Sequence, residues 1–221
     1  MTDFPELRER MVERQLAARG IRDPMILDAF RQVPREEFVS SEHGRRVYGD
    51  HPLPIEAGQT ISQPYIVALM IEAAGIQRGS RLLEVGAGSG YAAAVMSRIA
   101  AQVIAIERKP QLVAVASERM QRLGYHNVMI VEGDGTRGCV EHAPFDAILA
   151  AASGSHVPQP LIDQLVDGGR LVMPVGSQGW AQQLVKITKL GDGRTERVDL
   201  GGVRFVPMIG EEGFGDVGRR T

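Results

Sequence analysis

Between residues 81 and 175 the chain repeats one rhythm, a short apolar run followed by a segment of helical periodicity. The runs cover residues 81–85, 102–107, 127–131, 146–150 and 170–175, with helix-like segments at 91–99, 111–123 and 160–165. Strand then helix, repeated, predicts a parallel sheet covered on both faces. The last third breaks the rhythm. Residues 183–190 and 203–208 read as strands joined through Gly191, Asp192 and Gly193 with no full helix between them, which predicts an antiparallel addition at one sheet edge. The expected fold class is α/β: a doubly wound, mostly parallel sheet with an N-terminal helical extension and an antiparallel C-terminal edge.

The extension is read from the residues ahead of the sheet. Residues 6–19 place Leu7, Met11 and Leu16 among charges, the pattern of an amphipathic helix, and Gly20 ends it. Further helices are expected over 24–32, closed before Pro34, and over 64–74. Between Pro34 and Gln63 the periodicity fades, and Pro52, Pro54 and Gly58 interrupt any regular element, so a long ordered loop is expected. Loops of that length inside a compact domain are usually functional, which makes HPLPIEAGQTIS, residues 51–62, a candidate part of a site, with a plain surface loop as the alternative. At 221 residues the chain fits one domain, with residues 1–78 an extension packed on a core at 79–221.

Composition excludes several classes. With 43% hydrophobic and 24% charged residues, the chain is neither disordered nor a coiled coil. The 25 basic against 27 acidic side chains leave a net charge of −2, which offers no footprint for nucleic acid. Cys139 is the single cysteine, so no intramolecular disulfide and no multi-cysteine zinc site can form. The amino terminus lacks the apolar core of a signal peptide, and no apolar run approaches the ~20 residues that span a bilayer. A cytoplasmic protein with no membrane or nucleic-acid partner is expected.

The segment LEVGAGSGY, residues 83–91, sets Gly86, Gly88 and Gly90 at the exit of the first parallel strand and just before a helix. In an open α/β sheet a ligand crevice lies there, and glycine lets the backbone approach the ligand. A tight turn alone would need one glycine rather than three. The dinucleotide fingerprint GxGxxG does not fit, because the third glycine comes one residue early and Tyr91 takes the place of a small residue. Glu107 closes the next strand, where a carboxylate can accept from both hydroxyls of a ribose; a solvated strand end is the alternative. Asp134, in GDG, is placed to accept from an adenine amino group, with Gly135 letting the backbone near the ring, or else to make a simple Asp-Gly turn.

The spacing G-x-G-x-G with Glu84 two residues ahead of it resembles the class I S-adenosylmethionine methyltransferases, which have a Rossmann-like fold. A longer set of motifs is similar to one family within them, the protein-L-isoaspartate O-methyltransferases: MVERQL at 11–16, GQTISQPYIVALM at 58–70, LEVGAGSGY, GDG, PFDAIL at 144–149, GGRLVMPVG at 168–176 and VRFVPMIG at 203–210. The resemblance implies methyl transfer from S-adenosyl-L-methionine, leaving S-adenosyl-L-homocysteine, to the α-carboxyl of L-isoaspartyl residues in damaged proteins and peptides. It implies cofactor contacts at Thr60, Glu84, Gly86, Gly88, Gly90, Glu107, Asp134 and Gly135, and an active-site serine at Ser62. Two departures stand out: Ala150, Ala151, Ala152 and Ser153 replace the family's usual Val-Thr-Ala-Ala run, and Glu56 sits where glycine is usual.

An isoaspartyl carboxyl titrates near ~3.5, so at neutral pH it is already an anionic nucleophile and needs no general base. That agrees with five histidines scattered without ligand spacing; no metal is expected. Ser62 is then read as a hydrogen-bond donor that orients the carboxylate, or, two residues before Pro64, as a helix cap. Leu53, Pro54 and Ile55 on one side and Val206 and Pro207 on the other could form an apolar cleft for an extended, flexible peptide, or serve simply as core. The expected protein acts as a monomer. Two other functions stay open on the sequence: a class I methyltransferase acting on a small molecule or RNA, and a cofactor-binding protein without transfer activity.

Overall fold

The structure, a computed structural model, describes residues 2–177 and 181–215. Its centre is a seven-stranded sheet formed by β3 (Arg81–Val85), β4 (Gln102–Glu107), β5 (Val128–Glu132), β6 (Phe145–Ala150), β7 (Leu165–Val175), β8 (Gln182–Lys189) and β9 (Thr195–Val203). The strand order is β5-β4-β3-β6-β7-β8-β9. Pairings from β5 across to β7 are parallel, and those of β7 with β8 and β8 with β9 are antiparallel. The chain runs outward from β3 to β5, then returns to lay β6 on the other side of β3. The order therefore reverses at β3, and the carboxyl ends of β3 and β4 open on the crevice where such sheets bind ligands.

Helices α4 (Tyr91–Ser97), α5 (Pro110–Leu123) and α6 (Gln159–Asp163) make the crossovers. Helix α5 shows why the sequence folds this way. Leu112, Ala116 and Met120 recur every fourth residue and are buried, Pro110 opens the helix where its missing N–H costs nothing, and Gly124 closes it at φ 74°. The interior strands β3 and β4 are buried almost throughout, whereas β9 is exposed along nearly its whole length as an edge.

Ahead of the sheet lie α1 (Phe4–Met11), α2 (Pro24–Gln32) and α3 (Pro64–Ala74). The amphipathic stretch expected over 6–19 is one continuous helical path that changes pitch: α1 passes into a π-type turn at Val12–Leu16 and a 3-10 turn at Ala17–Arg19 before Gly20. Met11, Leu16, Phe30 and Phe38 share one buried cluster with Leu82, Met96 and Val103, so the extension and one face of the sheet are joined by a common core. A second cluster, including Ile148, Leu161 and Met173, fills the opposite face.

Two stretches differ from the sequence reading. Residues 51–62, expected as part of an ordered loop without a regular element, contain a small antiparallel hairpin, β1 (Leu53–Pro54) with β2 (Thr60–Ile61). The strand expected over 203–208 is absent: β9 comes earlier, directly after the Gly191–Gly193 turn, and residues 204–208 cross the ends of the strands instead, with Pro207 bridging to Ser153. No helix among the described residues is long and apolar enough to cross a membrane.

Candidate active site

A cavity of about 480 Å3 opens where the sheet order reverses. Its floor is the glycine loop. Gly86 and Ala87 donate their backbone N–H groups to the Ile106 carbonyl at 2.9 and 3.2 Å, which folds the loop over the end of β4. Gly86 and Gly88 reach this shape at φ 88° and 54°, in the left-handed region. Glu107, only 7% exposed, accepts from the Gly88 N–H with Oε2 and from the Lys109 N–H with Oε1, both at 3.0 Å. One carboxylate thus holds the loop from below while both of its oxygens keep lone pairs for a ligand.

Glu84 lies beneath the same loop, 2% exposed, and its Oε2 has no hydrogen-bond partner. Burial, with the negative charge of Glu107 next, pushes its carboxyl well above the usual carboxylate range, against the pull of the Ala93 amide in the first turn of α4. Glu84 is one of the residues around the cavity, and a buried acidic oxygen without a partner is a receptor for a cation or a strong donor.

The hairpin forms the second wall, contributing Thr60, Ile61 and Ser62. It is fastened to the sheet side at three points: Ile55 lies against Gly88, Glu56 pairs with Arg119 at 2.7 Å, and Lys109 Nζ donates to the Ala57 carbonyl at 3.4 Å. The acidic residue that departs from the family pattern is thus one half of this fastening. Ser62 does not cap α3. That position falls to Gln63, and the Tyr65 N–H donates to Asp50 Oδ1 at 3.4 Å instead. Among the described residues the Ser62 hydroxyl has no hydrogen-bond partner, while its carbonyl accepts from Arg35 Nη2 at 2.8 Å.

The third wall is residues 205–209, held in a shallow bridge by Ser153 N–H to Val206 carbonyl and Met208 N–H to Ser153 carbonyl, both 2.8 Å. Ala151 and Ala152 line the cavity where the family pattern would put a threonine hydroxyl.

The sequence-predicted residues therefore divide. Thr60, Ser62, Glu84, Gly86, Gly88, Glu107, Gly135, Val206 and Pro207 all line this one cavity. Gly90 does not: it precedes α4 at φ 85°, a left-handed backbone that favours glycine, and a Cβ there would stand 2.8 Å from Met120 Cε, the far end of a flexible side chain. Asp134 is not among the lining residues either. Its Oδ1 accepts from Thr136 N–H and Oγ1 at 2.9 and 2.7 Å and its Oδ2 from Glu211 N–H at 2.8 Å, so it clasps the chain just beyond the third wall. Although burial alone would raise it, those hydrogen bonds keep the Asp134 carboxyl below its ordinary value. Of the proposed peptide cleft, Leu53 is core, whereas Pro54 is exposed and Ile55 half-buried, and none of the three lines this cavity. The sequence reading missed Arg35, Tyr91, Met208 and Ile209. Tyr91 stood in the glycine motif itself, whereas nothing in the pattern around Arg35 marks it.

Among the described residues no three His, Cys, Asp or Glu side chains gather as a metal-binding group. The model of the protein-L-isoaspartate(D-aspartate) O-methyltransferase family matches residues 6–213. A protein-L-isoaspartate O-methyltransferase of Pelobacter propionicus is 53% identical over 207 residues, 94% of this chain and 92% of the relative. A solved protein-L-isoaspartate O-methyltransferase superposes with a TM-score of 0.85 at 32% identity, covering 93% of this chain and 66% of that longer one. A Plasmodium falciparum protein assigned the same activity, solved in complex with S-adenosyl-L-homocysteine, gives 0.78 at 29% identity over 91% of this chain and 98% of its own.

Proposed function

The chain belongs to the protein-L-isoaspartate(D-aspartate) O-methyltransferase family, and from that premise we propose that it is a repair enzyme, transferring a methyl group from S-adenosyl-L-methionine to the α-carboxyl of L-isoaspartyl residues in damaged proteins. The observation that carries this reading is a single cavity with the glycine loop and Glu107 on one side and an unengaged serine hydroxyl, Ser62, on the other.

The residues present fit the cofactor. Glu107 retains acceptor capacity for the two ribose hydroxyls, the orphaned Glu84 Oε2 suits the ammonium of the methionyl portion, and Ile106 with the backbone of Gly135 offers an apolar seat for a purine face. When bound, the cofactor supplies an electrophilic sulfonium methyl. What the chain adds is placement. The substrate carboxylate arrives ionised, and Ser62 donates to one of its oxygens, leaving the other directed at the methyl carbon. A bound cofactor would give up its methyl to that oxygen and keep the C–S electron pair on sulfur, so the chain's own task is to hold the two partners in line. No residue has to remove a proton. The resulting ester is activated toward its own backbone: the following amide nitrogen attacks the ester carbonyl, gives up its proton and expels methanol, closing a succinimide that water opens to aspartyl or isoaspartyl.

A direct test compares a protein aged at neutral pH and 37 °C with the same protein kept fresh, each incubated with methyl-labelled cofactor. The aged sample alone should take up label, and mild base should release that label as methanol. Label that withstands base would mean methylation of nitrogen or carbon and would refute a carboxyl acceptor.

A further inference from the structure

Arg35 stands directly behind the wall that carries Ser62. It is fully buried, on the 3-10 turn Arg35–Phe38 that follows Pro34. Its Nη2 donates to the Ser62 carbonyl at 2.8 Å and its Nε to the Val47 carbonyl at 3.0 Å, while the guanidinium carbon lies 4.7 Å from the centroid of the Tyr91 ring. Tyr91 opens α4 and lines the cavity, as Ser62 does. One side chain therefore joins the N-terminal extension, the exit of the hairpin and the helix of the glycine loop.

This is an unusual way to fill a core. Among the described residues no carboxylate hydrogen-bonds to Arg35, its Nη1 has no partner, and burial lowers its pKa from the ordinary guanidinium value. A methionine of similar length would avoid the desolvation of a cation. What methionine could not do is donate from a planar, rigid fork to two separate carbonyls. The Ser62 carbonyl belongs to the residue before the α3 cap, outside any helical hydrogen-bond ladder, so Arg35 is what fixes that peptide plane. With the preceding Ile61 held in β2 against Leu53, fixing this second plane leaves the Ser62 Cα–Cβ bond little freedom of direction.

We propose that Arg35 is a positioning residue for methyl transfer: by clamping the Ser62 carbonyl from behind the cavity wall, it sets where the Ser62 hydroxyl points. The proposal rests on the reading of Ser62 as donor to the substrate carboxylate.

A double-mutant cycle on the full chain tests it, using Arg35→Met, Ser62→Ala and the pair, with single-turnover transfer to an isoaspartyl peptide at saturating cofactor. Arg35→Met should lower the transfer rate by about 10- to 100-fold, the scale of a misplaced contact group, while calorimetry finds cofactor affinity within about twofold of the parent. Adding Ser62→Ala to it should slow transfer no further, because both changes remove the same oriented hydroxyl. Amide exchange at Ile61, Ser62 and Gln63 should quicken in Arg35→Met while the amides of α4 stay protected. If Arg35→Met does not fold, Arg35→Lys, which can reach one carbonyl but not both, carries the same cycle. Rate losses that multiply, or a parent-like Arg35 variant beside a slow Ser62→Ala, overturn the positioning role alone. A silent Ser62→Ala removes the reading of Ser62 and this proposal with it.

Discussion

Replacing Glu84 with glutamine keeps the shape of a side chain that is 2% exposed and removes its ability to ionise. In the ligand-free protein, burial and the charge of Glu107 hold the Glu84 carboxyl well above the ordinary range, so it keeps its proton over a span of pH where exposed carboxylates have lost theirs. A cofactor ammonium at Oε2 requires the carboxylate, so binding must expel that proton. By linkage, each pH unit below the raised pKa then weakens binding by up to about tenfold, about 1.4 kcal/mol, and affinity rises with pH until the curve flattens. Stability of the ligand-free protein runs the other way. The folded pKa lies above the unfolded value near ~4.3, so the contribution of Glu84 is fully present below about pH 4 and is lost as pH rises through the raised value. In Glu84→Gln both trends should vanish, and affinity at the upper end should fall by the worth of one charge-assisted hydrogen bond, about 1.5–3 kcal/mol or roughly 10- to 150-fold. The assay is calorimetric titration with S-adenosyl-L-methionine between about pH 5 and 7, below the ordinary α-amino range so that the cofactor's amino group stays mostly charged, in buffers of different ionisation heat that count protons released. A parent protein that releases no proton and binds with flat affinity would refute the argument, as would Glu84→Gln with the parent slope.

Three further substitutions separate the cavity from its supports. Glu107→Ala should weaken cofactor binding by roughly 1.5–3 kcal/mol, and unchanged affinity in a folded variant would return Glu107 to the sole task of holding Gly88 and Lys109. Gly90→Ala should lower stability by about 1–3 kcal/mol through its left-handed φ and the Met120 contact, read as a drop in Tm, with cofactor affinity of the folded protein changed less than in Glu107→Ala. Asp134→Ala should loosen the third wall, seen as faster amide exchange at Met208, Glu211 and Glu212; unchanged protection there would mean the clasp is incidental.

Much of this architecture was legible because it is written in burial. Strands β3 and β4 show themselves as apolar runs since both faces are covered, and α2 and α3 begin at prolines and end where periodicity stops. Strand β9 went unread because an exposed edge needs no apolar residue: TERVDLGGV carries its pairing in the backbone alone. The apolar character of 205–208, which reads as a strand, comes from lining the cavity. Likewise Leu53 is apolar because it is core, and at Asp134 a turn clasp and a cofactor contact ask for the same residue, so the GDG pattern does not tell them apart. Arg35 was illegible for a different reason. A buried cation belongs to no periodic pattern, and only the meeting of residues 35, 47, 62 and 91 in space gives it a role.

One cavity is expected to select a misplaced carboxylate and methylate it. Two synthetic peptides decide it, identical except that one carries L-isoaspartyl and the other L-aspartyl at a single central position, each offered to the full chain with methyl-labelled S-adenosyl-L-methionine. Transfer to the isoaspartyl peptide with the aspartyl twin at background is the expected result. Equal labelling of the two, or labelling of neither while calorimetry shows the cofactor bound, would contradict it.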